Sequence, residues 1–386
     1  MASAPRERIK LTYLITDLNV GGVPLHLYRL ATSLPTSHFD IRVISLADEG
    51  PVGQRLVAAG IPVDACNAKG AWDLRALWRL RRFLKAHPPD VLHALLFHAN
   101  LSARLMGPTA GVPVSRIVCE IQTVEVERRW HLWLDGLTYR LCRFEVVNSP
   151  SVLEHLHREA RIPRDRLRCE WGAVDPRMLT QSVPNASDGA DVTSDVTRKD
   201  SPDEKLIVWT GRLDPIKGFE EMLEAAYRLH QEGVQHQDGI KFKLLLVGEG
   251  AYRPTIERLM AEKGMDGYVK LLGQREDVPK LLRSADLFLF CSRTEGLPNS
   301  LIEAMAAGLP IVATEVAGNR DLIQHRKTGW LVERENAQAI ADGVRHLLSR
   351  PDEARMLGDQ ARYWVMAHLD PRAWVDRWKA LYEGLL

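Results

Sequence analysis

Short apolar runs alternate with longer amphipathic segments along the chain. The runs at 9–16 and 41–46 are rich in Val, Ile and Leu, which is typical of buried strands. The segments at 24–33 and 52–59 carry apolar residues at helical spacing. Alternation of this kind predicts a parallel sheet whose strands are joined by crossover helices.

The same alternation resumes in the second half of the chain. Five further apolar runs predict strands at 206–209, 242–247, 269–272, 287–291 and 310–313. A chain of 386 residues, 45% hydrophobic and 26% charged, is long enough for two ordinary globular domains. The sequence therefore predicts an α/β protein with two doubly wound, Rossmann-like domains.

A polar stretch at 182–203, with almost nothing to bury, is typical of a linker or a disordered loop. We therefore place an N-terminal domain at 1–178, a linker at 179–204, a C-terminal domain at 205–364 and a helical tail at 365–386. The last stretch of the chain, residues 361–386, carries an aromatic face at helical spacing, interrupted by Pro371. Its members are Trp364, Trp374, Trp378, Leu381 and Tyr382. We expect this tail to cross back and dock on the N-terminal domain, by core packing rather than by a specialised binding role.

Composition narrows the class of protein. The 51 basic and 50 acidic residues nearly cancel, so no global field favours nucleic acid as a partner. The five cysteines are scattered, without a C-x-x-C pair, which argues against a disulfide framework and a zinc site. The first ten residues are polar, and no apolar run approaches the roughly 18 residues of a membrane span. We expect a cytoplasmic protein, with peripheral contact to the inner face of a membrane as an option.

The clearest candidate for chemistry is the stretch 292–314. It follows an apolar run, turns through Gly296 and Pro298, and enters a helix. In a parallel sheet this turn lies at the ligand-binding end of the strands. The first N–H groups of the helix, those of Asn299, Ser300 and Leu301, are expected to be unpaired and able to hold a diphosphate.

Two carboxylates frame this turn, Glu295 before it and Glu303 inside the helix, with seven residues between them. An ionised carboxylate only accepts hydrogen bonds, which suits sugar hydroxyls. A lone glutamate on a helix is usually just a solvated residue, so only the surrounding pattern can indicate that Glu303 is functional. The stretch resembles the E-x7-E signature of glycosyltransferase family 4, the retaining enzymes of GT-B fold.

The resemblance implies two Rossmann-like domains facing a deep cleft. It also implies that Glu295 contacts the donor sugar, that Glu303 holds the ribose hydroxyls, and that the loop amides near Asn299 and Ser300 meet the phosphates. Gly296 and Leu301 are further candidates for donor binding. The loop at 210–219 is similar to the family's G-R-x4-K-G loop. By resemblance, Gly211 belongs to the donor site, and Arg212 and Lys217 converge on the pyrophosphate. Two cations there would neutralise the charge that builds on the leaving nucleotide.

A further candidate is the glycine loop at 17–24. Gly21 and Gly22 allow close backbone approach and offer amides at a helix start, which suits donor phosphates, and Asp17 is a candidate sugar or acceptor contact. An ordinary tight turn is the alternative. The loop is not a G-x-G-x-x-G motif, so a nicotinamide cofactor is disfavoured.

The sequence departs from the family where many members carry a histidine, since Gln122 takes that position. Glutamine can hydrogen-bond a hydroxyl but cannot act as a base, so whether Gln122 impairs catalysis stays open. Retaining transfer on one sugar face, with the leaving phosphate helping to deprotonate the acceptor, does not require a protein base. His98, and less so His93, are candidate acceptor contacts, although a histidine in an apolar stretch is more often a core residue.

Basic and aromatic residues mix at 72–85 and 128–133, as in helices that lie on anionic membranes. Packing of the leucines on the sheet, with solvated arginines, is the simpler alternative.

The predicted function is retaining transfer of a hexosyl-type sugar from a UDP- or GDP-sugar to a glycan or lipid-linked acceptor, in polysaccharide or glycoconjugate biosynthesis. Two alternatives remain: a catalytically silent GT-B binding or scaffold protein, and a nucleotide-sugar epimerase, which should show an acid/base pair. The chain carries no Asp-x-Asp motif, and Arg212 with Lys217 can supply a metal's charge. We therefore expect no metal and no cofactor other than the nucleotide sugar as co-substrate.

Overall fold

The computed structural model describes residues 8–70, 73–122, 128–179, 197–235 and 239–386. The chain forms two compact units, one of Met1–Gly172 with Arg372–Leu386 and one of Ala173–Pro371. The sequence-based boundaries at 178 and 364 lie a few residues away from these positions. Most of the predicted linker, residues 180–196, lies outside the described part of the chain.

The first unit is built on a seven-stranded parallel sheet. Its strands are β1 (Ile9–Ile15), β2 (Phe39–Ser45), β3 (Val63–Ala65), β4 (Val91–Leu95), β5 (Ile117–Ile121), β6 (Phe144–Val147) and β7 (Leu167–Cys169). They lie in the order β3-β2-β1-β4-β5-β6-β7. Its helices in sequence are α1 (Gly22–Ser33), α2 (Gly50–Ala58), α3 (Leu74–Ala86), α4 (Phe97–Thr109), α5 (Arg129–Thr138) and α6 (Pro150–Glu159). The strand order therefore reverses between β1 and β4.

The second unit repeats this architecture with six parallel strands in the order β10-β9-β8-β11-β12-β13, so its order reverses between β8 and β11. The strands are β8 (Lys205–Thr210), β9 (Phe242–Val247), β10 (Val269–Gly273), β11 (Leu287–Phe290), β12 (Ile311–Thr314) and β13 (Trp330–Val332). The helices are α7 (Pro176–Leu179), α8 (Phe219–Gln235), α9 (Arg253–Glu262), α10 (Val278–Ser284), α11 (Asn299–Ala306), α12 (Ala317–Leu322), α13 (Ala337–Leu348) and α14 (Pro351–His368). The two predicted doubly wound domains are thus confirmed.

The central strands are buried on both faces, which explains why they read as continuous apolar runs rather than as alternating ones. Leu14 and Ile15 of β1, and Phe288 and Leu289 of β11, are all almost fully buried. Helix α3 shows the complementary pattern, because it buries only Ala76, Leu80 and Leu84 at helical spacing.

The tail divides at Pro371, which begins a separate helix, α15 (Pro371–Glu383). Trp374, Trp378 and Tyr382 of α15 are buried in the first unit, so docking of the last helix on the first domain is confirmed. The prediction of one continuous aromatic face was wrong for Trp364. That residue lies on α14 of the second unit and stacks on His368, with ring centroids 4.6 Å apart.

A buried charged cluster ties three elements of the first unit together. Arg104 on α4 is almost fully buried, and its guanidinium donates to Asp135 at 2.7 Å and to Glu145 at 2.5 Å. It also donates to the hydroxyl of Thr138 at 2.9 Å. Because an unpaired buried charge is costly, this arginine and its carboxylates depend on one another.

Candidate active site

The predicted donor loops lie where ligands bind in doubly wound sheets, at the carboxyl ends of the strands flanking the order reversal. Loop 211–218 follows β8, and loop 291–298 follows β11. The N–H of Arg293 donates to the carbonyl of Ile216 at 2.8 Å. Gly218 has a φ of +67°, and a Cβ there would lie 2.1 Å from the carbonyl oxygen of Cys291. Only glycine therefore allows the two loops to approach this closely.

This approach brings together two predicted site residues that are distant in sequence. The ammonium of Lys217 lies 2.6 Å from Oε1 of Glu295, and both side chains are largely buried, 18% and 11% exposed. The same ammonium lies 5.8 Å from the centre of the Phe290 ring. A close cation and carboxylate at this edge of the sheet offer a partner for an anionic group and an acceptor for a hydroxyl.

Arg212, by contrast, extends from the same loop into solvent and is 72% exposed. Its guanidinium lies 3.2 Å from Oδ2 of Asp214, whose other oxygen accepts the N–H of Ile216. Such an exposed ion pair contributes little stability. Arg212 thus pairs with Asp214 and not with Glu295, and its exposed guanidinium has room to turn toward an anion.

Glycines let neighbouring loops back the site loops without intervening side chains. A Cβ on Gly248 would lie 1.8 Å from the carbonyl oxygen of Gly211, and one on Gly250 would lie 2.1 Å from that of Leu213. In the same way, a Cβ on Gly318 would lie 2.4 Å from the carbonyl oxygen of Gly296. The positions of the site loops are thus set by backbone contact.

Helix α11 begins directly after this loop, and no side chain caps it. The expectation of three unpaired N–H groups was wrong for Leu301, whose N–H donates to the carbonyl of Pro298 at 3.1 Å because the first turn is tight. For Asn299 and Ser300, no acceptor of the backbone N–H occurs among the described residues. The anion-binding capacity of this helix start therefore rests on those two amides.

Glu303 lies half-buried on α11, as predicted for the second glutamate of the motif. Sequence reasoning missed Arg177 on α7, a helix that packs against α11. The hydrogen bonds that the Arg177 guanidinium donates to the carboxylate of Asp175 raise the pKa of Arg177, and the charge of Glu303 contributes in the same direction. An exposed arginine near a linker carries no sequence signal, so only the fold could reveal this neighbour.

In the first unit, the candidate residues again follow the strands at the order reversal. Asp17, Gly21 and Gly22 follow β1, and His98 lies in the first turn of α4 after β4. The N–H of Ala99 donates to the hydroxyl of Thr16 at 3.3 Å, which links the two segments. Oδ1 of Asp17 accepts the N–H of Asn19 at 3.1 Å, so this carboxylate also stabilises its own loop.

Gly21 is not required by backbone conformation, since its φ of −172° is accessible to any residue. A Cβ there would meet nothing closer than Cδ of Pro24 at 3.7 Å. Helix α1 starts next to it without a side-chain cap. The glycine therefore leaves open space beside a helix N-terminus, as a site for close approach of an anion requires.

His98 is half-buried, and burial together with the charges of His131 and Arg128 lowers its pKa. Leu96, two residues before His98, has a φ of +74°, which is unusual for a residue with a side chain. His93, in contrast, lies fully buried in β4, where Nδ1 contacts the hydroxyl of Tyr382 at 2.8 Å. For His93 the core interpretation is therefore correct.

Gln122 follows β5, and its Nε2 donates to Oε1 of Glu120 at 2.6 Å. Its backbone carbonyl accepts a hydrogen bond from the side-chain amide of Asn148 at 3.1 Å. Glu120 was missed by sequence reasoning, although a carboxylate inside the apolar run of β5 was an available signal, because a buried charge needs partners.

Two family profiles match the chain. The profile "Glycosyl transferase 4-like domain" covers residues 21–169, and "Glycosyl transferases group 1" covers residues 194–364. The fold and these matches define a glycosyltransferase of GT-B type. Within that class, the chain belongs to the family 4 type, as the E-x7-E stretch indicated.

Similar proteins include N-acetyl-alpha-D-glucosaminyl L-malate synthase of Bacillus anthracis, 30% identical over 48% of this chain and 47% of that protein. The UDP-Gal:alpha-D-GlcNAc-diphosphoundecaprenol alpha-1,3-galactosyltransferase of Escherichia coli is 26% identical over 81% of this chain and 80% of its own. The match thus spans about half of the first relative and four fifths of the second. The crystal structure of Anabaena Alr3699/HepE in complex with UDP and glucose shares the fold, with a TM-score of 0.83, 19% identity, and coverage of 98% of this chain and 100% of that one.

Proposed function

We propose that this protein transfers a hexosyl-type sugar, with retention of configuration, from a nucleotide-diphosphate sugar to a glycan or lipid-linked acceptor. The observation that carries the proposal is the contact between Lys217 and Glu295 at the order reversal of the second sheet. The charges suit both parts of such a donor, since the diphosphate needs cations and amides and the sugar needs hydrogen-bond acceptors.

In the proposed reaction, the bond between the anomeric carbon and the β-phosphate oxygen breaks while a bond to the acceptor oxygen forms on the same face of the sugar. The acceptor's proton passes to the leaving diphosphate. Arg212 and Lys217 stabilise the charge that develops on that diphosphate, and this stabilisation lowers the barrier. The amides of Asn299 and Ser300 add a helix N-terminus to the same anion.

The carboxylates of Glu295 and Glu303 bind hydroxyl groups of the donor, whereas the cations stabilise the leaving diphosphate. Glu295 accepts hydrogen bonds from hydroxyls of the transferred sugar, and Glu303 accepts those of the ribose. Arg177 places a cation near Glu303, and an ionised carboxylate there accepts such bonds from the ribose. In the first unit, Gly21 and Gly22 serve the donor phosphates, and Asp17, His98 and Gln122 serve the sugar or the acceptor.

The nucleotide is tested by thermal shift with UDP, GDP, ADP and dTDP and the matching sugars, for the wild type and for Arg212→Ala. A ligand that binds only the folded state raises the melting temperature. A shift selective for one nucleotide and reduced in the variant supports the donor site. Because Arg212 is 72% exposed, its removal should not itself alter the melting temperature.

Turnover is then measured with the selected donor by release of the nucleotide diphosphate and by proton NMR of the anomeric linkage. An α-linked product from an α-linked donor supports retention, whereas an inverted product contradicts it. Donor binding without turnover on any glycan or lipid acceptor would favour a silent scaffold. Conversion of the donor sugar without an acceptor would favour an epimerase.

We propose that transfer needs no metal ion. Among the residues that the structure describes, there is no group of three or more His, Cys, Asp and Glu arranged to hold one. The test is the transfer rate in excess chelator, with and without added magnesium or manganese. An unchanged rate supports the proposal, and loss in chelator with recovery on metal addition overturns it.

The names of the two relatives described above indicate different acceptors: malate for the Bacillus anthracis protein and a lipid diphosphate for the Escherichia coli protein. We propose a lipid-linked or membrane-associated acceptor, used at the cytoplasmic face of a membrane, because α3 exposes an apolar and basic surface. Leu74 and Trp78 are 76% and 60% exposed, and Arg82 lies over the Trp78 ring. In the described part of the chain, no helix is long and apolar enough to cross a membrane.

Vesicle sedimentation tests this surface. Wild-type protein should bind vesicles that contain anionic lipid and not zwitterionic ones, and Trp78→Ala should weaken that binding. Tyr363→Ala is the matched control, since Tyr363 is an exposed aromatic residue on α14 of the second unit, with 77% exposure against 60% for Trp78. Equal binding by both variants would contradict a specific role of α3.

A further inference from the structure

A buried polar network lies beneath the candidate edge of the first sheet. Glu120 on β5 is 2% exposed, and its carboxylate lies 3.2 Å from Nε2 of His26 and 3.1 Å from Nε2 of His93. His93 continues to the hydroxyl of Tyr382, which lies 3.1 Å from that of Tyr13. All of these groups are buried, so the network is not a solvent-exposed surface.

Helix α15 covers the network with aromatic rings. Trp378 stacks on His93 with ring centroids 5.1 Å apart, and Trp374 packs edge-on against His26 at 5.4 Å. Both histidines therefore have fixed positions, and they fix the carboxylate between them. Burial by itself would raise the pKa of Glu120, but His26 and His93 lower it to a net value well below its usual range.

An ionised carboxylate accepts hydrogen bonds and donates none. The group of Gln122 that contacts Glu120 must therefore be its amide nitrogen, which lies 2.6 Å from Oε1 of Glu120. This contact removes the usual ambiguity between the nitrogen and the oxygen of a side-chain amide. In the described part of the chain, Oε1 of Gln122 accepts no hydrogen bond, and the side chain is only half-buried.

We propose that Glu120 is a positioning residue that turns the Gln122 amide so that Oε1 accepts a hydrogen bond from a substrate hydroxyl. The proposal rests on the proposed function and specifies the direction of one hydrogen bond between Gln122 and the substrate. Gln122 recognises a hydroxyl as donor, and a substrate lacking that hydroxyl proton, such as a deoxy or fluoro analogue, would lose the contact.

A double-mutant cycle with Glu120→Gln and Gln122→Ala tests the proposal. Each single variant should lower kcat/KM about tenfold, the effect of one hydrogen bond. If Glu120 acts through Gln122, adding Glu120→Gln to Gln122→Ala should cause no further loss of kcat/KM. Losses that multiply, or an unchanged rate in Gln122→Ala, overturn it. Tyr13→Phe is the control, because it removes a buried hydroxyl of the network and should lower the melting temperature but not the rate.

A second variant keeps the test independent of the folding of Glu120→Gln. Gln122→Glu has nearly the same shape but places two carboxylates side by side, so one of them must hold a proton for the contact to form. Its transfer rate, relative to wild type, should rise as the pH is lowered, and a flat ratio contradicts the proposal. A wild type that transfers no sugar at all would instead refute the proposed function, and the two failures are thus distinguishable.

Discussion

The two units share one strand layout but hold their site residues in different ways. In the second unit, the loops after β8 and β11 are fixed by backbone contacts at Gly218, Gly248 and Gly318, and the charged side chains lie at the edge of the sheet. In the first unit, the charged side chains of Glu120 and Arg104 are buried and form ion pairs within the domain rather than at the edge of the sheet. Substitutions of the second unit's charges should therefore impair transfer alone. Substitutions of the first unit's buried charges should impair stability first.

The largest effect is expected for Arg104→Met, which leaves Asp135 and Glu145 buried without their cation. The free energy of unfolding should fall by about 3–5 kcal/mol. Urea unfolding followed by tryptophan fluorescence measures the loss. Arg258→Met is the control, because Arg258 is 60% exposed and its pair with Glu262 contributes at most about 1 kcal/mol. Equal losses in both variants would remove the contrast between buried and edge charges.

The next effect concerns the second unit. Glu295→Gln removes the charge that faces Lys217 and the transferred sugar, and transfer should fall about 10²- to 10³-fold, or about 3–4 kcal/mol. The melting temperature should change little, because the loop is held by its backbone. Glu257→Gln, which alters an exposed ion pair on α9, should leave both quantities unchanged. If Glu295→Gln unfolds, or transfers sugar at the wild-type rate, the charges of the second unit do not serve transfer alone.

A smaller effect concerns Glu120 and its pH dependence. The pKa of this carboxyl is lowered in the folded protein, so its stabilising effect is fully present above its ordinary value and is lost as the pH falls below that value. Glu120→Gln should therefore lower the free energy of unfolding by about 1–3 kcal/mol at neutral pH. The difference from wild type should shrink below about pH 4. A difference that is independent of pH would mean that the charge of Glu120 does not contribute.

The smallest effect is expected for Gly21→Ala. The added Cβ fits the fold but occupies the space beside the start of α1, so donor binding should weaken roughly fivefold, or about 1 kcal/mol. The melting temperature without ligand should stay the same, because the nearest atom to the added Cβ lies 3.7 Å away, an ordinary contact distance. It should also stay the same for Gly267→Ala, where an added Cβ meets nothing within 4 Å. Unchanged titrations of donor binding would remove Gly21 from the site.

Local patterns were sufficient to predict both sheets, since each central strand is a continuous apolar run, and to place Glu295 and Lys217 on loops after strands. They could not show that Arg212 and Lys217 differ so strongly in exposure, because that depends on how Gly218 meets Cys291. The pairing of the Leu301 amide depends on the tightness of a single turn. The network of Glu120 joins His93 to Tyr382, residues 289 positions apart, and no local pattern records such a contact.

The position of α15 also sets an order of assembly during synthesis. The second unit is continuous in sequence, from Ala173 to Pro371, whereas the first unit includes Arg372–Leu386. Until the ribosome has released that last helix, His26 and His93 lack the rings of Trp374 and Trp378, and an apolar surface of the first sheet stays uncovered. The part of the protein that is translated first is therefore the part that is completed last.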